Sequence, residues 1–263
     1  MSIARLLALP LALALLASAP VSATTVGFAD LATLSSAAPV VIRATIFKAE
    51  RLKPRDAPDV APGSARMLVS AATTSAIVAP GEVPPRITYL VDVPLDARGK
   101  PPQLLRSDVL LFLRGNPATP GEYTLVSAHG QLDWSADADA AVRAILTGAR
   151  NGTVPVVTGV TSAFRVPGAV PGEAESQFFL STRDGKPVSL VVLTRPGEAR
   201  KLTIALGDVI DDAAAGVKPG TLLWYRLACF LPQALPAKLD AGADVADDYR
   251  FVLTSLGPCG RTF

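Results

Sequence analysis

VVIRATIFKAERL, residues 40 to 52, decides the fold class. Ile42, Ala44 and Ile46 alternate with Arg43, Thr45 and Phe47, so an extended chain sends the first three to one side and the second three to the other. That is the period of a long, half-buried strand. KPRDAPDVAPGSA follows, rich in Pro, charge and small residues, and reads as a loop. Strand-like runs recur at RMLVSAATTSAIV, RITYLVDV, DVLLFLR and EYTLVSA. Residues 133 to 150 then change to helical spacing, with Ala141, Ile145 and Leu146 on one stripe and Ser135 or Asp137 as the cap.

Five strands and a closing helix predict a small barrel or sandwich. Together with the long first strand, this pattern over residues 38–130 resembles the five-stranded OB-like barrels, including the netrin-like modules of some secreted proteins. Those modules carry cysteines that this segment lacks, and no functional residue carries over from the resemblance. As a whole the chain resembles exported bacterial proteins without an assigned function.

Beyond ARNGTVPVV, read as a linker, QFFLSTRDGKPVSLVVLTRPGEARKLTIAL holds three strands divided by the turn pairs Asp184-Gly185 and Pro196-Gly197. Val188 to Leu193 is apolar on both faces and belongs at the sheet's centre, whereas Leu202, Ile204 and Leu206 alternate as in an outer strand. Two helices should close this part. TLLWYRLACFLPQAL has Thr221 as a cap and Leu223, Leu227, Phe230 and Leu231 as a stripe. DVADDYRFVLTSLG aligns Val245, Tyr249, Val252 and Leu256 before Gly257-Pro258 ends it. The predicted class is mainly β: a barrel-like domain over 24–150, then an α+β domain over 151–263 with an antiparallel sheet and two C-terminal helices.

Residues 1–23 stand apart from that fold. Arg5 and the amino terminus give a positive start, Leu6 to Ala17 is uncharged, and Val21-Ser22-Ala23 suits signal-peptidase cleavage before Thr24. Pro10 and the short run argue against a permanent anchor, which needs about 20 apolar residues. The expected destination is the periplasm or the medium, with no transmembrane span left after cleavage. Without Arg5 the chain carries 24 basic and 23 acidic side chains. This near-neutral balance disfavours nucleic acid as a partner. In an oxidising compartment Cys229 and Cys259 read as a disulfide, since Cys-x-x-Cys is absent and Cys229 lies in an apolar run.

His129, in SAHGQLDW, is the sole histidine of the chain. A Ser-His-Asp hydrolase would use it as the base, with Asp133 nearby, but neither a Gly-Asp-Ser-Gly nor a Gly-x-Ser-x-Gly stretch supplies the nucleophile. It is a weak catalytic candidate against the plainer reading of a strand-end residue. Zinc, haem and iron–sulfur sites need more His or Cys ligands than the chain offers, and nucleotide-phosphate loops are missing, so no cofactor is expected. Asp208, Asp211 and Asp212, echoed by Asp244, Asp247 and Asp248, place carboxylates at helical spacing. They could hold a hard cation, although solvated first turns of helices explain them as well. Glu173 and Glu175, in VPGAVPGEAESQ, are the loop carboxylates available to a paired-acid hydrolase.

The sequence therefore favours a non-catalytic binding or structural module of the bacterial envelope that takes an envelope protein, peptide or glycan. The alternative is a metal-independent hydrolase using His129 or loop carboxylates.

Overall fold

The computed structural model describes residues 26–207, 217–239 and 242–263. The segment 1–23 and the acidic candidates Asp208, Asp211 and Asp212 lie outside them. Ten strands and four α-helices are described: α1 Phe28–Ala37, β1 Val40–Arg51, β2 Ser64–Val78, β3 Arg86–Pro94, β4 Asp108–Gly115, β5 Glu122–Leu125, β6 Gln131–Asp133, α2 Ala136–Arg150, β7 Val157–Pro167, β8 Ala174–Thr182, β9 Val188–Thr194, β10 Lys201–Leu206, α3 Leu222–Ala228 and α4 Gly242–Leu256.

The first five strands close on themselves in the order β1-β2-β3-β5-β4, with β4 returning to β1 and β6 added outside β4. All pairings are antiparallel except β3 with β5, where Thr88 meets Glu122 and Tyr89 meets Tyr123. This closed, mixed five-stranded barrel is compatible with an OB-like barrel. Closure needs strong curvature, and β1 supplies it: its register with β2 shifts at Val41/Ile42, Arg43/Ala44 and Ile46/Lys48, each shift adding local bend and twist. Ile42, Ala44 and Ile46 point inward with Val69, Ile87 and Leu111. The Tyr89 hydroxyl, buried with them, donates to Gln131 Oε1 at 2.7 Å, which satisfies the one polar tip in that core.

Val41, Leu110 and Phe112 face the other way and are equally buried. They belong to a second core shared with α1, α2, the remaining sheet and the C-terminal helices. Burial on both faces explains why DVLLFLR is a continuous apolar run rather than an alternating one. Helix α1 carries Ala29, Leu31, Ala32 and Leu34 into this core; its small and hydroxyl residues give little helical contrast, and the sequence reading did not place it.

The second sheet runs β10-β9-β8-β7, antiparallel throughout, with β9 inside as expected. It has a fourth strand, β7, between the predicted linker and the predicted loop, where the sequence reading placed no element. Register shifts at Val157/Gly159 and Val160/Ser162 disrupt the alternation that would have marked it. β8 starts at Ala174, so Glu175 is a strand residue and not a loop residue.

Ser135 caps α2 by accepting from the Ala138 amide at 3.2 Å, and Thr221 caps α3 through the Trp224 amide, also at 3.2 Å. Helix α3 is shorter than its apolar run. It ends at Ala228, leaving Phe230 in the following turn, exposed, with its ring edge-on to Tyr225. Helix α4 buries the predicted Val245, Tyr249, Val252 and Leu256, together with Asp248. Trp224 Nε1 donates to the Leu256 carbonyl at 2.8 Å, and the sulfurs of Cys229 and Cys259 stand at disulfide distance, 2.15 Å. Among the described residues no helix is long and apolar enough to cross a membrane.

Candidate functional site

His129 sits in the tight connection between β5 and β6. Its amide bonds the Ser127 hydroxyl at 3.2 Å, and its exposed ring stacks on Phe263, with centroids 4.2 Å apart and planes 12° from parallel. The C-terminal tail reaches this point because it is tied at two places on the way. Cys259 meets Cys229, and Thr262 donates its amide and hydroxyl to the buried Asp30 at 2.8 and 3.0 Å. Asp30 also receives the Gly27 amide at 3.1 Å, as a third-position carboxylate does in a capping box. The histidine is thus held by the chain's last residue.

The acidic residues of α4 separate into two environments. Asp247 is half exposed and takes Arg200 at 2.6 Å and Arg250 at 2.8 Å, hydrogen bonds that hold its carboxyl below the usual range. Asp248, one turn-face away, is 1 % exposed. One of its oxygens receives both Arg165 and, at 2.6 Å, the hydroxyl of Ser176; the other lies 3.3 Å from Arg200. A serine beside an aspartate invites a hydrolytic reading. Yet Ser176 is wholly buried and donates straight to a carboxylate already engaged by two guanidinium groups, so no substrate can approach its oxygen. The cluster clamps α4 to β7 and β8. Sequence alone offers Asp247 and Asp248 as cation ligands or as a solvated helix start and does not show their arginine and serine partners, which lie far away in the chain.

The loop carboxylates do not converge either. Glu173 pairs with Arg195 at 3.3 Å, while Glu175 accepts from Gln177 on its own strand. Among the described residues no three His, Cys, Asp or Glu side chains are grouped so that they could hold a metal ion.

On the barrel, the Arg43 guanidinium stands over Trp134, 3.7 Å from the ring centroid, and pairs with Asp108 at 2.7 Å. Thr45 donates to the same carboxylate at 2.5 Å, and these two bonds, the threonine's first, lower the Asp108 pKa. Trp134 Nε1 and Arg43 Nε are buried without a hydrogen-bond partner among the described residues.

The outward face of the second sheet is different in character. Phe164 on β7 and Phe179 on β8 stack with centroids 5.8 Å apart, and both are substantially exposed. Val166, 51 % exposed, extends the patch along β7, and Val170 stands exposed in the turn beyond. β7 is also an edge strand of 11 residues, paired among the described residues only with β8. Large apolar side chains on the open face of a long edge strand are a feature that soluble monomers avoid. The sequence reading missed this face together with its strand. FxxxxxxxxxxxxxxF spacing across a hairpin carries no signal until the pairing register is known.

No protein-family model matches the chain, and no curated protein matches it.

Proposed function

We propose that the protein is an exported, non-catalytic binding module of the bacterial envelope, and that it takes its partner on the outer face and free edge of the second sheet. The observation that supports this most strongly is the exposed Phe164–Phe179 pair on edge strand β7. An extended segment added beside β7 would gain main-chain hydrogen bonds from the strand edge and side-chain contact from the aromatic patch, the physics of strand addition. Two stacked rings supply area at little entropic cost. A signal segment at residues 1–23 and the Cys229–Cys259 pair at disulfide distance support export. A division at about residue 150 into a barrel unit and an α+β unit would put this face on the α+β unit.

A photo-reactive side chain at position 164, activated in intact envelopes, tests the reading. It should yield one predominant adduct with an envelope protein, peptide or glycan, weakened about tenfold when Phe179 is changed to Ser. Adducts that are absent, or indifferent to Phe179→Ser, would reject this face as the binding site. The hydrolase alternative would require His129, Glu173 or Glu175 to act on a substrate, and each is engaged in a separate local contact.

A further inference from the structure

A second surface lies at one end of the barrel. The β1–β2 loop meets the β3–β4 loop there through Leu95 N to Gly63 O at 2.8 Å, and β1 itself bonds the β3–β4 loop twice, Arg106 N to Ile46 O at 2.8 Å and the Arg51 side chain, through Nη1, to Gly99 O at 3.1 Å. Residues 48–63 and 95–107 together carry seven cationic and four acidic side chains, a greater positive excess than the +2 of the entire chain.

The carboxylates at this end are already engaged. Glu50 pairs with Lys48, Asp56 with Arg55, and Asp59 with Arg66. Asp96 turns onto its own loop and accepts the Arg98 and Lys100 amides at 2.9 and 2.8 Å, which sends those two side chains outward. Arg51, Lys53, Arg98, Lys100 and Arg106 are all exposed, and none forms an ion pair with a described carboxylate. Between them stands Leu105, 42 % exposed, beside Arg106, whose φ of 69° is the one left-handed backbone among the described residues other than glycine. That conformation costs energy for a side-chain-bearing residue and turns the chain onto β1 at Ile46, two residues before β4 begins, with Leu105 left exposed.

We propose that this end of the barrel docks on an anionic phospholipid surface, with the five cations over the headgroups and Leu105 entering the interface. The inference rests on the envelope location proposed above, but not on the Phe164 face, which belongs to another sheet. Charge complementarity selects an anionic partner, and the exposed Leu105 beside Arg106 selects a membrane over a soluble polyanion. Each Lys or Arg near such a surface strengthens binding several-fold, and one apolar side chain adds to it.

The test is sedimentation of the mature protein with vesicles of phosphatidylglycerol and phosphatidylethanolamine, against vesicles of phosphatidylcholine alone. Binding is expected on the first, decreasing as salt rises, and not on the second. The triple change Lys53→Gln, Arg98→Gln, Lys100→Gln should weaken it on the order of 100-fold. Leu105→Ser should weaken vesicle binding without changing retention on heparin, and Arg150→Gln with Lys201→Gln, elsewhere on the surface, should leave both unchanged. Absence of sedimentation, equal binding to phosphatidylcholine, or indifference to the triple change would overturn the proposal. Retention on heparin without vesicle binding would also overturn it, in favour of a polyanionic glycan. Since the vesicle assay uses no partner protein, its failure leaves the cross-linking result at position 164 standing, and the reverse.

Discussion

Arg165 on β7 and Asp248 on α4 are 83 positions apart and share a direct hydrogen-bonded ion pair, with the buried Ser176 donating to the same carboxylate oxygen. A charge removed from water this completely must be paired, and its partner becomes a liability once the pair is broken.

Asp248→Ala should therefore lower stability by about 3 kcal/mol, because it strands the inward-facing Arg165 guanidinium in a largely closed site. Asp248→Asn keeps an acceptor for Ser176 and should cost less. Urea denaturation reads both, as a lower midpoint with unchanged slope. A midpoint unaltered by the alanine change would show that the clamp does not hold α4.

The Cys229–Cys259 link spans 30 positions. Reduction, or Cys229→Ser with Cys259→Ser, should cost about 3 to 4 kcal/mol through the loop entropy returned to the unfolded chain. Mass spectrometry of the oxidised mature protein should find both thiols blocked together. Two free thiols would remove the link and the stabilisation with it.

His129→Gln should leave stability within about 0.5 kcal/mol of the parent, since the ring is exposed and stacks on the tail's Phe263 at the surface. Cross-linking at position 164 should also be unchanged. A folded variant that loses function would return His129 to the hydrolase reading.

Asp108 makes stability dependent on acid. Its folded pKa is lowered from the ordinary 3.8, first by the Thr45 bond and then by Arg43. The carboxylate's contribution is therefore complete above 3.8 and is lost as pH falls from there through the lower folded value. Asp108 is partly exposed, so the effect should be small. Comparing wild type with Asp108→Asn by thermal melts at neutral pH and at pH about 3 checks it: the variant should lose less on acidification. Equal losses would assign the acid sensitivity to other carboxylates.

Residues 40–52 show how far local pattern reaches. A period of two follows from backbone geometry alone, so Ile42, Ala44 and Ile46 could be assigned to one face before any partner was known. The same holds for the cap at Thr221 and for the α4 stripe, and for the α2 cap down to a choice between Ser135 and Asp137 that the fold decides for Ser135. Each depends on neighbours within a turn or two. Strand β7 escaped because two register shifts break its period, and α1 because small residues blur its stripe.

Pairing between distant segments needed the folded chain. Closure of β4 onto β1, burial of Val41 and Phe112 from outside the barrel, and the meeting of Arg165, Ser176 and Asp248 all join residues whose separation in sequence carries no information about their distance in space. The same is true of the two cationic segments, 48–63 with the end of β1 and 95–107, which reach one end of the barrel only because β1 and β3 run in the same direction. Outside β7 and α1, the sequence by itself determined which main segments are extended, which are helical and which side of each is apolar, since those depend on local geometry. Tertiary structure decided which faces remain open to a partner, because exposure is what is left after every distant segment has taken its place.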